Sequence, residues 1–288
     1  YYWQWVSLKE KLKTLDVVGR QIDTIRRDVS TAVDAGVAMQ NDLLQVELER
    51  NRISANRLKV NNGLTVVKML LAQAIELPAD SFDIAVSVPE DLPDPNIYKV
   101  DHQAALQITP TYRMLQKSVE ASKLQRNMEL GKRLPTIGIG AGYMYYDLPD
   151  QHSISVIENR RSMGMVFASI AIPLSDWWGG THAIRQKNVQ LKIAEESKRS
   201  NSELLLVQMQ QLWNELVEAY DQAKISKESV AKATENARIS TNCYHAGTVA
   251  VSDLLNAQSL LQQSRDQYTD DLTTYFIKRT RYLQATGR

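Results

Sequence analysis

Residues 244–258 read YHAGTVAVSDLLNAQ, and parts of this stretch recur earlier in the chain. Its Ala246-Gly247 pair and the later Asp253-Leu254-Leu255 have counterparts earlier in the chain, Ala35-Gly36 and Asp42-Leu43-Leu44. Gly247 lies 211 residues after Gly36, and the same offset relates Asp253 to Asp42. Solenoid repeats have periods of roughly 20 to 50 residues, so this spacing is too long for one. The sequence therefore predicts an internal duplication that forms one large two-part architecture.

Long helical patterns lead into and out of the second turn. Between about Trp178 and about Tyr244 there is no proline, and after Gly179-Gly180 there is no glycine. Apolar and small residues recur in this stretch in alternating steps of four and three, which is a heptad seam: Leu205, Met209, Leu212, Leu216, Ala219, Ala223, Ser226, Val230, Ala233, Ala237, Ser240 and Tyr244. The last helix continues in sevens through Leu254, Leu261, Tyr268, Tyr275 and Tyr282. We predict a mainly α fold of long antiparallel coiled-coil hairpins.

The turn glycines have a structural explanation. A tight connection between two long helices needs a residue that adopts positive φ, and glycine does so without steric cost. Gly36 and Gly247 are therefore predicted to form the hairpin tips, together with Ala35, Ala246 and Thr248.

Prolines divide the chain between the two repeats. Five of the eight lie between residues 78 and 110, and one helix cannot continue through such a run. The stretch Ile84–Val88 is either a small strand or an extended linker. We expect five segments: a first helical hairpin (1–77), a linker (78–100), a helix from about Asp101 that is bent at Pro110 (101–133), a β-hairpin (134–174) and a second long hairpin (175–288).

The β-hairpin carries a period-two pattern. Ile137, Ile139, Ala141, Tyr143 and Tyr145 alternate with a second set, which predicts a strand with one bulky and one slim face. The second set consists of Thr136, Gly138, Gly140, Gly142 and Met144. A polar interruption at 147–162 precedes a second run from about Met163 to Ile172, which contains Phe167 and Ile170. Each run has the length that a tilted strand needs to cross a bilayer. A soluble hairpin packed on a helix is the alternative.

Composition excludes several classes of function. The formal charge of +1, from 34 basic and 33 acidic residues, provides no electrostatic footprint for nucleic acid. A single cysteine, Cys243, excludes an internal disulfide framework.

The start of the chain has no signal-peptide pattern. The 211-residue offset aligns Val6 with Val217, which lies inside a helix of the second repeat, so the first repeat begins in the middle of its corresponding helix. We therefore expect the chain to be a fragment.

Motifs for catalysis or cofactor binding are weak. Gly138-Ile139-Gly140-Ala141-Gly142 faintly resembles a dinucleotide loop, but Tyr143 replaces the last glycine and the segment alternates as a strand. Cys243 and His245 have no accompanying acid or oxyanion element, and side chains two residues apart diverge on a helix. The four histidines lack metal-ligand spacing. We expect no enzyme activity, no cofactor and no bound metal.

The order of these features resembles the TolC-like outer-membrane efflux proteins. A helix ends at Leu134-Pro135, a glycine and tyrosine strand follows, a second strand closes on Ile172-Pro173-Leu174, and Gly179-Gly180 precedes a very long helix. The stretch from Tyr244 to Gln258 is similar to the family's final hairpin almost residue for residue. The internal duplication is also a hallmark of that family.

The resemblance implies an obligate homotrimer in the outer membrane and periplasm of a Gram-negative bacterium. Each protomer of the family adds four strands to a shared twelve-stranded barrel, and its helices build a periplasmic tunnel. This chain has one strand pair, so we expect the first pair and its leading helix upstream of Tyr1. The partners that the resemblance implies are a periplasmic adaptor, an inner-membrane pump and outer-membrane lipid.

The resemblance also implies roles for individual residues. Asp42 and Asp253 match aspartates that ring the tunnel entrance, and Tyr244 matches a tyrosine that helps to hold it shut. Asn256 stands where a second aspartate can occur and Val249 where an arginine can occur, which implies a different closing network. Each aspartate is equally explained as a favourable charge near a helix start. The alternative for the whole protein is a non-transporting coiled-coil scaffold.

Overall fold

The computed structural model describes residues 1–85, 92–147, 160–172 and 181–288. They fall into two compact units, one of residues 1–106 with 206–288 and the other of residues 107–205. Besides a short 3-10 helix at Pro95–Tyr98, the elements are α1 (Tyr2–Asp34), α2 (Gln40–Ile75), α3 (His102–Ile108), α4 (Pro110–Gly131), β1 (Thr136–Asp147), β2 (Arg160–Ala171), α5 (Thr181–His245) and α6 (Val251–Ala285). No helix in the described ranges has an apolar stretch long enough to cross a membrane.

The first unit is built from helices that lie side by side. α1 lies close to α2, to which a short turn joins it, and also to α6 from the other end of the chain. Val29 of α1 and Val46 of α2 pack in one buried cluster with Val251, the first residue of α6. Apolar burial of this kind is the main favourable term in folding. The two repeats therefore share a core.

The predicted heptad seams are confirmed. Every seam position of α5 from Leu205 to Tyr244 is buried or half-buried, and Leu216 and Ala223 are fully enclosed. On α6, Tyr275 and Tyr282 are also fully enclosed. The helix predicted from about Asp101 is interrupted before Pro110, because α3 ends at Ile108 and α4 begins at Pro110.

An aromatic cluster closes the end of this unit that lies away from the turns. The Trp3 and Phe276 rings stack with centroids 4.1 Å apart. The Tyr275 hydroxyl donates to the Pro93 carbonyl (2.5 Å), and the Val100 N–H donates to the Tyr282 hydroxyl (3.3 Å). The interrepeat linker is thus hydrogen-bonded to α6. Ile84 and Ala85 form neither helix nor strand, and residues 86–88 of the predicted strand or linker lie outside the described residues.

The second unit contains α4, the β-hairpin and the beginning of α5. Lys198 of α5 lies 5.3 Å from the ring centroid of Tyr112 on α4, a cation–π contact. β1 and β2 form a two-stranded antiparallel sheet in which Ile137 pairs with Ile170 and Gly140 with Phe167.

The strands differ from the predicted bounds. Both have 12 residues, and backbone pairing continues to Asp147 opposite Arg160. The predicted interruption at 147–162 is therefore too long at both ends. The hydropathy pattern misplaces the ends of the interruption, because hydrogen bonding between strand backbones can continue through polar residues. Residues 148–159, Pro173-Leu174 and Gly179-Gly180 lie outside the described residues.

Candidate functional site at the hairpin turns

The two hairpin turns have the same backbone structure. Gly36 has φ of 73° and Gly247 has φ of 72°, both in the left-handed region. In the first turn the Gly36 N–H donates to Val33 O (2.9 Å) and the Val37 N–H to Ala32 O (2.9 Å). This pair of bonds is the Schellman motif, which satisfies the last carbonyls of a helix.

The second turn repeats those bonds at the same offset. The Gly247 N–H donates to Tyr244 O (2.9 Å) and the Thr248 N–H to Cys243 O (3.0 Å). The Ala35 and Ala246 N–H groups likewise donate to Thr31 O and Asn242 O, at 3.0 Å in both turns. All five predicted tip residues therefore belong to two congruent turns, and all five are exposed.

Asp42 and Asp253 occupy the same position in the helices that follow. Each is the third residue of its helix, and its N–H donates to the carbonyl of the N-cap residue, Met39 (3.0 Å) or Ala250 (3.1 Å). Their carboxylates differ. Asp42 Oδ2 accepts a hydrogen bond from the Met39 N–H (3.2 Å). The described residues contain no equivalent bond for Asp253, which is exposed, whereas Asp42 is half-buried.

Tyr244 lies near Asp42. It is half-buried and packs against the cluster that contains Val29, Val46 and Val251. Burial, followed by the charges of Asp28 and Asp42, raises the pKa of the Tyr244 hydroxyl. The structure therefore brings together Tyr244 and Asp42, two of the four predicted entrance residues. Asp253 and Asn256 are exposed on α6.

A groove of about 380 Å³ runs beside Tyr244. Its walls come from α1, α5 and α6 and include Asp28, Thr241, His245, Leu254 and Gln258. Sequence analysis missed Asp28 and Gln258. Asp28 carries no local signal, since its neighbour Tyr244 is more than 200 positions away in the chain. Gln258 lies within the quoted stretch, but nothing in that pattern shows that it is buried.

Cys243, Tyr244 and His245 directly precede the second turn. The Tyr244 and His245 rings are 5.8 Å apart in a tilted arrangement, and Cys243 is a half-buried free thiol. Within the described ranges there is no group of three side chains that could hold a metal ion.

The predicted membrane-strand residues are highly exposed. Ile139 is 82% exposed, and Ile137, Tyr143, Tyr145 and Ile170 are also exposed. The pairing places these five on one face of the sheet. Phe167 lies on the opposite face, where its ring covers Gly140. A side chain of β2 therefore covers the slim face of β1 at Gly140.

Comparison with known proteins agrees with this architecture. The sequence profile described as "Outer membrane efflux protein" matches residues 102–288. No curated protein matches the sequence significantly.

Three solved structures are similar to this chain. The outer-membrane channel OprN matches with a TM-score of 0.81 and 16% sequence identity, and the outer membrane protein VceC from Vibrio cholerae matches with a TM-score of 0.80 and 14% identity. The CmeC outer membrane channel from Campylobacter jejuni matches with a TM-score of 0.81 and 10% identity. Each match covers 99% of this chain, which spans 64%, 67% and 60% of those chains respectively. The matched profile covers most of the sequence and the duplicated hairpins have the same fold as these channels, so this chain belongs to the outer membrane efflux protein family.

Proposed function

We propose that the intact protein is the outer-membrane channel of a tripartite export system, a passive conduit across the periplasm and outer membrane of a Gram-negative bacterium. The observation that carries this proposal is the combination of two kinds of element on one chain. Strands of 12 residues with an exposed apolar face are long enough to cross a bilayer when tilted. Long helical hairpins with congruent turns supply the periplasmic part. Conduction of this kind requires no catalytic step and no cofactor.

The hairpin supports assembly from several copies. An isolated two-stranded sheet is marginally stable, and lipid does not tolerate open strand edges. The strands of this chain therefore join strands from other copies, and the family's architecture makes the assembly a homotrimer. Ile137, Ile139, Tyr143, Tyr145 and Ile170 share one exposed face, and this face contacts outer-membrane lipid.

Membrane fractionation of cells that express the full-length protein tests this assembly. A conduit is recovered in the outer membrane as a heat-resistant trimer. Replacing Ile139 with lysine puts a charge on the lipid face and reduces the yield of trimer, whereas Thr136→Lys, at the strand end, is the matched control. Recovery of the wild-type protein as a monomer outside the membrane would favour a non-transporting coiled-coil scaffold.

The hairpin turns form the periplasmic entrance in this proposal. Asp42 and Asp253 are each within two helical turns of a tip. Repeated by threefold symmetry, their carboxylates attract cations and repel anions. Tyr244 contributes to closure through its position beside Asp42 and Asp28, and Asn256 adds a neutral polar group.

Reversal potentials across a salt gradient test the entrance. Asp253→Asn is expected to lower cation selectivity more than Asp42→Asn, because the Asp42 carboxylate is already engaged by the Met39 N–H. The double variant has the lowest selectivity. Unchanged reversal potentials in the double variant would remove both residues from the entrance while leaving conduction itself untouched.

The same tips dock the periplasmic adaptor, which links the channel to an inner-membrane pump. Ala35, Gly36, Ala246, Gly247 and Thr248 are exposed and lie in rigid, hydrogen-bonded turns. A surface whose backbone is fixed before binding loses little conformational entropy on docking.

A further inference from the structure

Four polar side chains form a row along α6 in steps of four residues. They are Gln258, Gln262, Asp266 and Asp270, and this spacing makes each one a neighbour of the next on the helix surface. The Ser7 hydroxyl of α1 donates to Asp270 Oδ1 (3.0 Å) and Lys11 Nζ donates to Oδ2 (2.7 Å). At the other end of the row, Gln258 lines a groove with Gln21 and Ile25 of α1. The polar row therefore lies along the seam between α1 and α6, which is where the two hairpins meet.

The row contains more acceptors than donors. Gln258 Oε1, Gln262 Oε1 and Asp266 Oδ1 are buried and have no hydrogen-bond partner in the described part of the chain. Gln258 and Gln262 are 7% and 6% exposed. A buried acceptor that loses its water without gaining a donor costs about 1–3 kcal/mol.

Ionisation of the Asp266 side chain is disfavoured in the folded chain. Burial is the largest cause and raises the pKa of its carboxyl, and the neighbouring Asp270 acts in the same direction. Lys11 from α1 and the Gln262 side chain from α6 oppose that change. Lys11 is already bonded to Asp270, so one cation serves two carboxylates.

A proton on Asp266 would remove the disfavoured charge and also supply a missing hydrogen-bond donor. It removes a half-buried negative charge and creates an O–H donor. Gln262 lies one turn away, and side chains four residues apart on a helix are neighbours. The new hydroxyl can donate to Gln262 Oε1, which otherwise has no partner.

We propose that Asp266 and Gln262 form a proton-operated joint within the seam between α1 and α6. Uptake of one proton by Asp266 removes a half-buried charge and gives Gln262 Oε1 a donor, which stabilises the folded seam, whereas Lys11 of α1 favours the ionised form. The joint is a property of the folded chain and does not depend on conduction. Because folding raises the pKa of Asp266, the stabilisation is fully present below the ordinary pKa of an aspartate. It is lost as the pH rises through the raised value. The seam is therefore firmer in mildly acidic buffer than in neutral buffer.

Hydrogen–deuterium exchange of the full-length protein in mildly acidic and in neutral buffer tests the joint, with rates corrected for the intrinsic effect of pH. Peptides that cover residues 7–18 and 258–270 should open less in acid. The ratio of the exchange rate in neutral buffer to that in acidic buffer should grow about tenfold for each unit by which the pKa of Asp266 in the folded chain exceeds its pKa in the unfolded chain. In Asp266→Asn the amide donates permanently to Gln262 Oε1, so both peptides should be protected at either pH. Asp221→Asn, on an exposed position of α5, should behave like the wild type.

A second variant, Lys11→Met, shifts the pH dependence instead of abolishing it, and it tests the proposal even if Asp266→Asn does not fold. Lys11→Met removes the cation that favours ionised Asp266, so the pH at which protection is lost should move upwards. Three results would each overturn the proposal: equal protection of the wild type at both pH values, a wild-type pH dependence in Asp266→Asn, or an unchanged or lower midpoint in Lys11→Met.

Discussion

At the scale of single residues, the turn glycines are positions where backbone conformation alone fixes the residue type. A Cβ at Gly247 would meet no atom within 4 Å, yet φ of 72° disfavours any side chain. Gly247→Ala should destabilise the turn by about 1–2 kcal/mol. The Thr248 N–H is bonded within this turn, so its hydrogen exchange should become roughly tenfold faster. Gly131→Ala is the matched control, because its Cβ also meets nothing and its φ is not positive. Equal effects of the two changes would contradict the left-handed assignment.

Tyr275 gives a prediction about alkaline pH. Burial, followed by the neighbouring Tyr98, raises the pKa of the Tyr275 hydroxyl from 10.0 to about 12. The folded chain keeps this proton where the unfolded chain has lost it, so the stabilisation is complete below pH 10 and is lost towards pH 12. Chemical denaturation should show that Tyr275→Phe loses less stability over this window than the wild type. At neutral pH the variant should be less stable by about 1 kcal/mol, because the Pro93 carbonyl loses its donor.

Tyr1→Phe serves as the control for Tyr275→Phe, since Tyr1 is 58% exposed. If both variants keep the alkaline loss of the wild type, Tyr275 is not the group responsible.

The site residues could be predicted from the sequence only in part. The repeat places Asp42 and Asp253 at equivalent backbone positions, and the structure agrees. Their different environments could not be predicted, because the half-burial of Asp42 and its closeness to Tyr244 depend on how α1, α2 and α5 assemble. Asp28 was missed for the same reason.

At the scale of elements, the β-hairpin depends on a cross-strand pair of unequal size. A Cβ on Gly140 would lie 2.3 Å from Phe167 Cζ, whereas one on Gly142 would lie 3.7 Å from Met165 Cγ. Gly140→Ala should therefore force the Phe167 ring away from its present rotamer at a cost of about 0.5–1.5 kcal/mol and lower the temperature at which the proposed trimer dissociates. Gly142→Ala should have a much smaller effect.

A double variant isolates the cause. Phe167→Leu removes the ring that Gly140→Ala would strike, so the two changes together should cost less than their separate costs added. Strict additivity would show that contact with Phe167 is not the reason for the glycine.

Helices were easier to predict than strand limits. The heptad seams identify the buried faces of α5 and α6, because periodicity reports burial directly. The ends of β1 and β2 were misplaced because pairing extends through Arg160 and Asp147, where the hydropathy pattern has already stopped.

At the scale of the whole molecule, the pairing of helices is what sequence patterns leave open. A seam shows that a helix has a partner, but it does not identify the partner. The contact of α1 with α6, from opposite ends of the chain, is therefore a finding of the structure. The polar row that contains Asp266 lies along this contact.

The duplication explains how one chain can supply two equivalent parts of a larger assembly. Two congruent turns and two equivalent aspartates arise from one repeated unit. A symmetric ring of several copies then presents twice as many tips as it has protomers, which suits an entrance that closes around a central path.

Conductance of the purified full-length protein in planar lipid bilayers shows whether it is a channel. We expect heat-resistant trimers that insert and produce discrete, reproducible current steps, with cations favoured over anions. A protein that stays monomeric and carries no current at any applied voltage would contradict this expectation.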